Sequence, residues 1–327
     1  MTAGGRVTKV LLIPRLGDRY YSGLRDRHPD VDLVEAASQT DVDRHAVDAE
    51  VVYGYLNAEQ FESAASLRWI QGLDAGVEGL FRRIPALASS DVVLTNARGA
   101  GAPIIGEHAV ALILALARQL PRFEQDKRDR RWDSEGALES VEYAGDKTVG
   151  IIGFGKSGKE IGWRCKALGM SVVALDRHPV DGDPIVEQVW TLDRLPELLG
   201  RADYVVVTVP QTPETVDLIG DRELRQMKRS ARLIVTSRGR IVNQDALVQA
   251  LKEGVIAGAG LDTVDEEPLP AEDELWSLPN VIITPHIAGN AEPELLERRT
   301  FAIFAENLRR YLAGQPLLNV VDKRLGY

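Results

Sequence analysis

Soft and imidazole side chains are scarce in this chain: one cysteine, three methionines and five histidines in 327 residues. A single thiol, Cys165, excludes an intrachain disulfide framework and a multi-cysteine metal site, and no metal is expected. Cys165 falls inside a segment expected to be helical, which suits a small packed side chain better than a nucleophile. Positive charge is also short. Thirty-nine Lys and Arg against 49 Asp and Glu leave a formal charge of -10. That argues against a broad nucleic-acid or anionic-membrane surface, while a local basic pocket could still take a small acid. Long apolar runs are missing as well. The most apolar helical run, 109–117, is too short to span a bilayer. Residues 1–6 lead straight into the strand-like 7–13, with no signal-peptide apolar region or cleavage site. A cytoplasmic protein with neither membrane nor nucleic acid as partner is the expectation.

What the chain does hold is a repeated alternation of short apolar runs with helical stretches. Its length exceeds what one hydrophobic core usually organises, so two domains are expected. Strand candidates 7–13, 31–36, 50–55, 67–71 and 91–95 describe a small α/β domain with a mostly parallel sheet. A clearer series follows at 148–152, 171–175, 202–208, 232–236, 255–259 and 281–284. These runs are rich in Val and Ile without strict in-out alternation, as in strands covered on both faces. Six of them with intervening helices predict a Rossmann-type doubly wound parallel sheet. Between the two series, 104–120 is apolar on nearly every face and must be buried. The polar stretch 126–146 is expected at the surface. Residues 293–312 form a long amphipathic helix, with Gly314-Gln315-Pro316 as its stop signal. Packed back on the first domain, that helix makes the nucleotide domain an insertion. The expected division is 1–102 with 290–327 as a smaller, flavodoxin-like substrate domain, and 103–289 as the dinucleotide domain with its interdomain helix.

The sharpest local motif is Gly150-Ile151-Ile152-Gly153-Phe154-Gly155-Lys156-Ser157-Gly158, directly after a strand and before a helix expected at 159–168. Gly153 permits the tight turn, Gly155 lets a pyrophosphate approach the backbone, and Gly158 lets helix and strand pack closely. Phosphates would meet the amide-rich helix start around Lys156 and Ser157. The Lys156 side chain itself is expected in solvent, and the loop lacks the ending of a phosphoryl-transfer motif. Three glycines alone are a weak signal. Asp176, at the end of the next strand, strengthens it, because a carboxylate there accepts ribose hydroxyls and repels a 2'-phosphate. Arg177 beside it could lie against adenine or partly accommodate that phosphate. NAD is therefore expected, with NADP the lesser alternative.

Three later segments each put a polar side chain just beyond an apolar strand, where such folds bind ligands. Arg238, in Thr236-Ser237-Arg238-Gly239, can grip a planar carboxylate with two parallel hydrogen bonds. His286, in Thr284-Pro285-His286, can give a proton to a carbonyl oxygen and take it back. Glu267 can hold that imidazole and favour its protonated form, with Asp265 and Glu266 as competing acids. Asp262 could orient a nicotinamide carboxamide. Taken together the set suits hydride transfer at a carbon whose oxygen gains negative charge. Each residue also has a plain reading as a surface ion pair, a structural histidine or a solvated acid.

In order and spacing these segments resemble the D-isomer-specific 2-hydroxyacid dehydrogenase family over essentially the whole chain. The matching stretches are 150–158, Val209-Pro210-Gln211-Thr212-Pro213-Glu214-Thr215, Ser237-Arg238-Gly239, Leu261-Asp262-Thr263, Glu267-Pro268-Leu269-Pro270 and 279–289. The resemblance implies a catalytic trio of Arg238, Glu267 and His286, with Asp262 on the carboxamide. It implies further coenzyme contacts at Val209, Pro210, Thr215, Ser237 and Gly289. It also implies a substrate carboxylate held by backbone amides of the loop Gln71-Gly72-Leu73-Asp74-Ala75-Gly76-Val77, and Gly76 and Val77 are the amides expected. Related sequences often carry serine where this one has Asp74, which either faces away or marks a cationic or polyol substrate end. Gly106-Glu107-His108 resembles the family's domain-junction motif, so His108 is expected to be structural. Homodimers are usual there. A small 2-oxo or 2-hydroxy acid is the expected substrate, of D configuration by resemblance, with glyoxylate or hydroxypyruvate leading. Two rivals stand beside that reading. One is a nucleotide-sensing interaction protein like the family's corepressors, and the other an enzyme for formate or phosphite on the same scaffold.

Overall fold

The computed structural model describes residues 7–13, 18–138, 140–179, 183–186 and 188–326. Two compact units divide the chain: Met1–Ala100 with Glu292–Tyr327, and Gly101–Ala291.

In the first unit, strands β1 (Lys9–Leu12), β2 (Asp32–Glu35), β3 (Val51–Tyr53), β4 (Trp69–Gln71) and β5 (Val93–Thr95) make one sheet. Their order is β2-β1-β3-β4-β5 and every pairing is parallel, the flavodoxin-like arrangement. Successive side chains leave a strand on opposite faces. Leu11, Val52, Ile70 and Leu94 therefore build one core, and Val10, Leu12, Tyr53 and Trp69 the other. The helix Pro293–Leu312 covers that second face with Phe301, Phe304 and Leu308. Rings of Tyr53 and Phe304 lie 4.6 Å apart, and Trp69 stacks on Tyr311 at 5.3 Å. The fully buried Asn307 ties the helix to the strand end by donating to Gln71 Oε1 at 3.0 Å.

The second unit carries β6 (Thr148–Ile152), β7 (Ser171–Leu175), β8 (Val189–Trp190), β9 (Tyr204–Val207), β10 (Arg232–Val235), β11 (Gly258–Leu261) and β12 (Val281–Ile283). Their order is β12-β11-β10-β9-β6-β7-β8, again all parallel. Strand order reverses between β6 and β9, the crevice where such sheets bind ligands. Both faces are covered, one by a core around Leu198, Leu224 and Leu247, the other by Leu112, Ile113 and Ile161. That accounts for strands that read as unbroken Val and Ile.

Several elements differ from the sequence reading, for local reasons. The buried helix runs Ala102–Ala117 and stops before 120, because Pro121 cannot extend it. Gln119 turns left-handed at φ 54° and a new helix, Leu120–Arg128, begins. The stretch 126–146 is accordingly not all surface: Asp126 and Ala144 are buried. The strand expected at 255–259 starts at Gly258, since Val255 closes the preceding helix. Its N–H donates to Ala250 O at 2.8 Å past Gly254 at φ 66°, a Schellman ending. The two-residue β8 is too short to stand out by pattern. The helix of the glycine motif spans Lys156–Ala167, with Gly155 as its cap. No single helix among the described residues is long and apolar enough to cross a membrane.

Candidate active site

The carboxyl edge of the seven-stranded sheet gathers the residues singled out by sequence. In spatial order it presents His286 after β12, Asp262 and Glu267 after β11, Arg238 after β10, and the 209–215 segment after β9. The glycine loop follows after β6, and Asp176 and Arg177 after β7. Neighbouring strands lie about 4.8 Å apart, so the first three strand ends fall within roughly 10 Å.

At β6 the chain turns into its helix through Gly153 at φ 100°, where a side chain would meet Val209 N at 2.8 Å. A Cβ at Gly158 would stand 2.1 Å from Gly153 O, so the first helical turn closes directly on the loop. Above Gly155 the space is open. Asp176 braces this loop: Phe154 N donates to one carboxylate oxygen at 2.8 Å and His178 N to the other at 3.0 Å. Arg177 forms an ion pair with Glu214 from the segment after β9. In that segment the Thr215 hydroxyl donates to Pro210 O at 2.7 Å and accepts from Thr212 N at 2.7 Å, so Thr215 serves its own turn.

The imidazole of His286 meets Glu267, with Nδ1 to Oε2 at 2.6 Å. Glu267 Oε1 accepts from Val264 N at 3.3 Å. This arrangement leaves Nε2 as the nitrogen for exchange with a ligand, on a ring whose side chain is 46% exposed. Arg238 is half-buried and donates from Nη1 to Ser237 O at 2.8 Å. His286 has φ 52°, an uncommon conformation for a residue with a side chain. Its N–H is held by Asp262 O at 2.9 Å and Thr284 O at 3.0 Å. The Asp262 carboxylate, with its side chain 1% exposed, is filled from the same loop. It accepts from Thr284 Oγ1 at 2.6 Å, Ile287 N at 2.9 Å and Ala288 N at 2.8 Å. Gly289 ends this loop against Gly101 and Ile105.

In the first unit, the loop after β4 is built around a tyrosine that the sequence reading passed over. Tyr55 Oη accepts from Leu73 N at 3.1 Å and Asp74 N at 2.9 Å, and donates to the Asp74 carboxylate. Asn96 Nδ2 donates to Ala75 O at 2.7 Å, and Ala97 N to Asp74 O at 2.9 Å. Asp74 is thereby turned onto Tyr55. Burial first, then the bond to Asp74, raise the Tyr55 phenol above its ordinary value of 10, so it stays a donor. Gly76 and Val77 follow this braced stretch, half-buried and buried.

The family model for the D-isomer specific 2-hydroxyacid dehydrogenase NAD-binding domain matches residues 110–288, more than half of the chain. The chain belongs to the D-isomer specific 2-hydroxyacid dehydrogenases. A glyoxylate reductase of Korarchaeum cryptofilum is 35% identical over 277 residues, covering 83% of this chain and 80% of that protein. A D-3-phosphoglycerate dehydrogenase of Archaeoglobus fulgidus is 32% identical over 319 residues, covering 96% of this chain. This chain spans 59% of that relative's length. A solved D-isomer specific 2-hydroxyacid dehydrogenase of Xanthobacter autotrophicus, in complex with NADPH and MES, superposes with a TM-score of 0.81. Identity to it is 29%, and the match covers 98% of this chain and 100% of that one.

This dehydrogenase chain fits the dinucleotide its family uses. The open space over Gly155 leaves room for a pyrophosphate at the helix start. Each Asp176 oxygen keeps an acceptor position beyond its one backbone donor. Ser237 Oγ, Thr236 Oγ1 and Thr263 Oγ1 are buried without partners at the ends of β10 and β11, beside the expected nicotinamide end. Tyr55, Thr284 and Glu214 are the functional candidates that sequence reasoning missed. The carboxylate at Asp74 was a usable signal for Tyr55, since an acid there needs a donor.

Proposed function

We propose that the chain interconverts a small 2-oxo acid and its 2-hydroxy acid with NAD(H), as a homodimer in the cytoplasm. The observation that carries the reading is the 2.6 Å His286–Glu267 pair, on the strand end two places from Arg238. Bound NAD(H) supplies or accepts the hydride. Glu267 orients the imidazole through Nδ1, so that Nε2 donates a proton to the carbonyl oxygen in reduction and removes it from the hydroxyl in oxidation. Arg238 binds the substrate carboxylate and stabilises charge on the neighbouring oxygen. Ser237, Asp176 and the 153–158 turn bind the coenzyme, with the amides of Lys156 and Ser157 on its phosphates. Gly76 and Val77 contribute backbone amides to the substrate carboxylate. Tyr55 removes the objection raised by Asp74, because it occupies that carboxylate with its own hydroxyl.

Glyoxylate and hydroxypyruvate lead as substrates, because they need only a small pocket. A formate enzyme needs no residue to handle a substrate hydroxyl proton, so an assembled His286–Glu267 pair favours the hydroxy acid. The test is loss of reduced-nicotinamide absorbance with NADH and NADPH over a panel from glyoxylate to phenylpyruvate, for the parent and His286→Ala. A rate with one 2-oxo acid that falls about 10²- to 10⁴-fold in the variant is expected. Retention of that rate by His286→Ala, or silence of the whole panel while NADH binds, would sink the reading.

A further inference from the structure

We propose that His108 is a positioning residue for His286, acting through Thr284 and Asp262. This inference rests on the reading of His286 as the acid.

Satisfying the hydrogen bonds leaves one arrangement. Thr284 Oγ1 has a single proton, and the 2.6 Å contact to the Asp262 carboxylate, which can only accept, uses it. The hydroxyl must then accept from His108 Nε2, 2.9 Å away. His108 Nε2 therefore carries hydrogen in either charge state, and it also lies 3.6 Å from Asp262 Oδ1. The result is a directed relay from His108 on the Ala102–Ala117 helix, through Thr284, to Asp262.

Asp262 is what holds the His286 loop in shape. Its carbonyl takes the His286 N–H, and its two carboxylate oxygens take the next two amides, Ile287 and Ala288. These are the bonds that stabilise the left-handed backbone at His286, a conformation that persists only where its surroundings over-determine it. A buried carboxylate missing one donor rotates toward another, and the amides that follow it move the ring. Catalysis is sensitive to displacements well under an ångström-scale rearrangement of the chain, so the loss falls on turnover before it falls on binding. His108 touches neither the His286 ring nor Glu267 in this network. Its influence travels through the Thr284 hydroxyl to the Asp262 carboxylate and from there to the loop amides.

The experiment compares His108→Ala, Thr284→Val, their double variant, His108→Gln and Thr284→Ser with the parent. Steady-state kinetics use the best 2-oxo acid of the panel, and NADH affinity is followed by tryptophan quenching. His108→Ala and Thr284→Val should each lower kcat about ten- to a hundredfold, with KM and NADH affinity within about twofold of the parent. The double variant should lose no more than the worse single one, because the two act as one unit. His108→Gln keeps an N–H within reach of Thr284, and Thr284→Ser keeps the hydroxyl, so both should recover most of the rate. A merely structural role would lower melting temperature and raise KM together, without rescue by glutamine. Parent-like kcat in His108→Ala, or equal damage in the glutamine variant, overturns the proposal. If His108→Ala does not fold, Thr284→Val against Thr284→Ser carries the same test. His286→Ala in the same series separates the two failures: if it keeps the parental rate, the functional reading fails, whatever the His108 variants do.

Discussion

The two units each end a parallel sheet in a set of loops, and they spend their polar side chains in opposite ways. At the seven-stranded edge, the charged groups are presented. Arg238, Glu267 and His286 keep exposed or half-buried ends, while Asp262 and Asp176 brace their own loops. At the five-stranded edge the side chains are consumed, and what is presented is backbone. Tyr55 takes the amides of Leu73 and Asp74, Asn96 takes the carbonyl of Ala75, and Asp74 is turned onto Tyr55. A site made of side chains is lost with one substitution. A site made of amides can only be loosened, by changing the side chains that shape it.

Arg238→Lys should give the largest effect that still tests this contrast. Lysine keeps the charge but not the planar fork, so two parallel hydrogen bonds become one. Charge-assisted bonds contribute about 1.5–3 kcal/mol each, so kcat/KM for the 2-oxo acid should fall about ten- to a hundredfold. NADH affinity should be unchanged. A loss confined to NADH binding would move Arg238 from substrate to coenzyme and weaken the distinction between the edges.

Tyr55→Phe makes the matching change at the other edge, and the expected effect is smaller. The Leu73 and Asp74 amides are half-buried or exposed, so water can replace the phenol, and the loss is about 1 kcal/mol. KM should rise about fivefold with kcat nearly constant, because a loop that holds the carboxylate as proposed would do so in ground and transition state alike. Freed from Tyr55, Asp74 would also repel an anionic substrate, adding to KM in the same direction. The raised Tyr55 phenol adds a pH control. A group raised on folding contributes stability that is complete below its ordinary value of 10 and fades only in stronger alkali. The difference in melting temperature between parent and Tyr55→Phe should therefore be flat across neutral pH. A slope there would mean that the phenol is not the group by which the two proteins differ in stability.

The same contrast governs how much could be read from the chain before its structure. The seven-stranded edge was legible because its chemistry is carried by residue types. A glycine turn followed by Asp176, then Arg238, Glu267 and His286 just past apolar strands, suits hydride transfer on sequence alone, with a sensing role and a formate or phosphite enzyme left as rivals. Asp262 was legible as a site residue. Its engagement with the His286 loop was not, since which atoms a carboxylate accepts from depends on a loop conformation with φ 52° at His286. The five-stranded edge was mostly illegible. Amides at Gly76 and Val77 have no residue-type signature, and Tyr55 is distant in sequence from the loop it organises. Both sheets could be anticipated from apolar runs, because parallel strands covered on two faces have few alternatives. The displaced start of β11 shows the limit: Val255 looks like strand, but its amide closes the end of a helix.

The smallest expected effect sharpens the comparison at the coenzyme end of the seven-stranded edge. There Arg177 is presented, yet it is paired with Glu214 across the mouth of the loop after β9. Both side chains are about half exposed, so the pair contributes at most about 1 kcal/mol. Glu214→Gln removes the competing carboxylate while keeping its shape. Arg177 can then turn toward a 2'-phosphate, although Asp176 remains in place to repel it. The ratio of kcat/KM for NADPH over NADH should rise about threefold, and added salt should shrink the difference between parent and variant, since exposed charges are screened. An unchanged ratio would make the ion pair a surface ornament and leave coenzyme choice to Asp176 alone. A rise that salt does not diminish would place the discrimination in packing around the ribose, where a presented charge has no part.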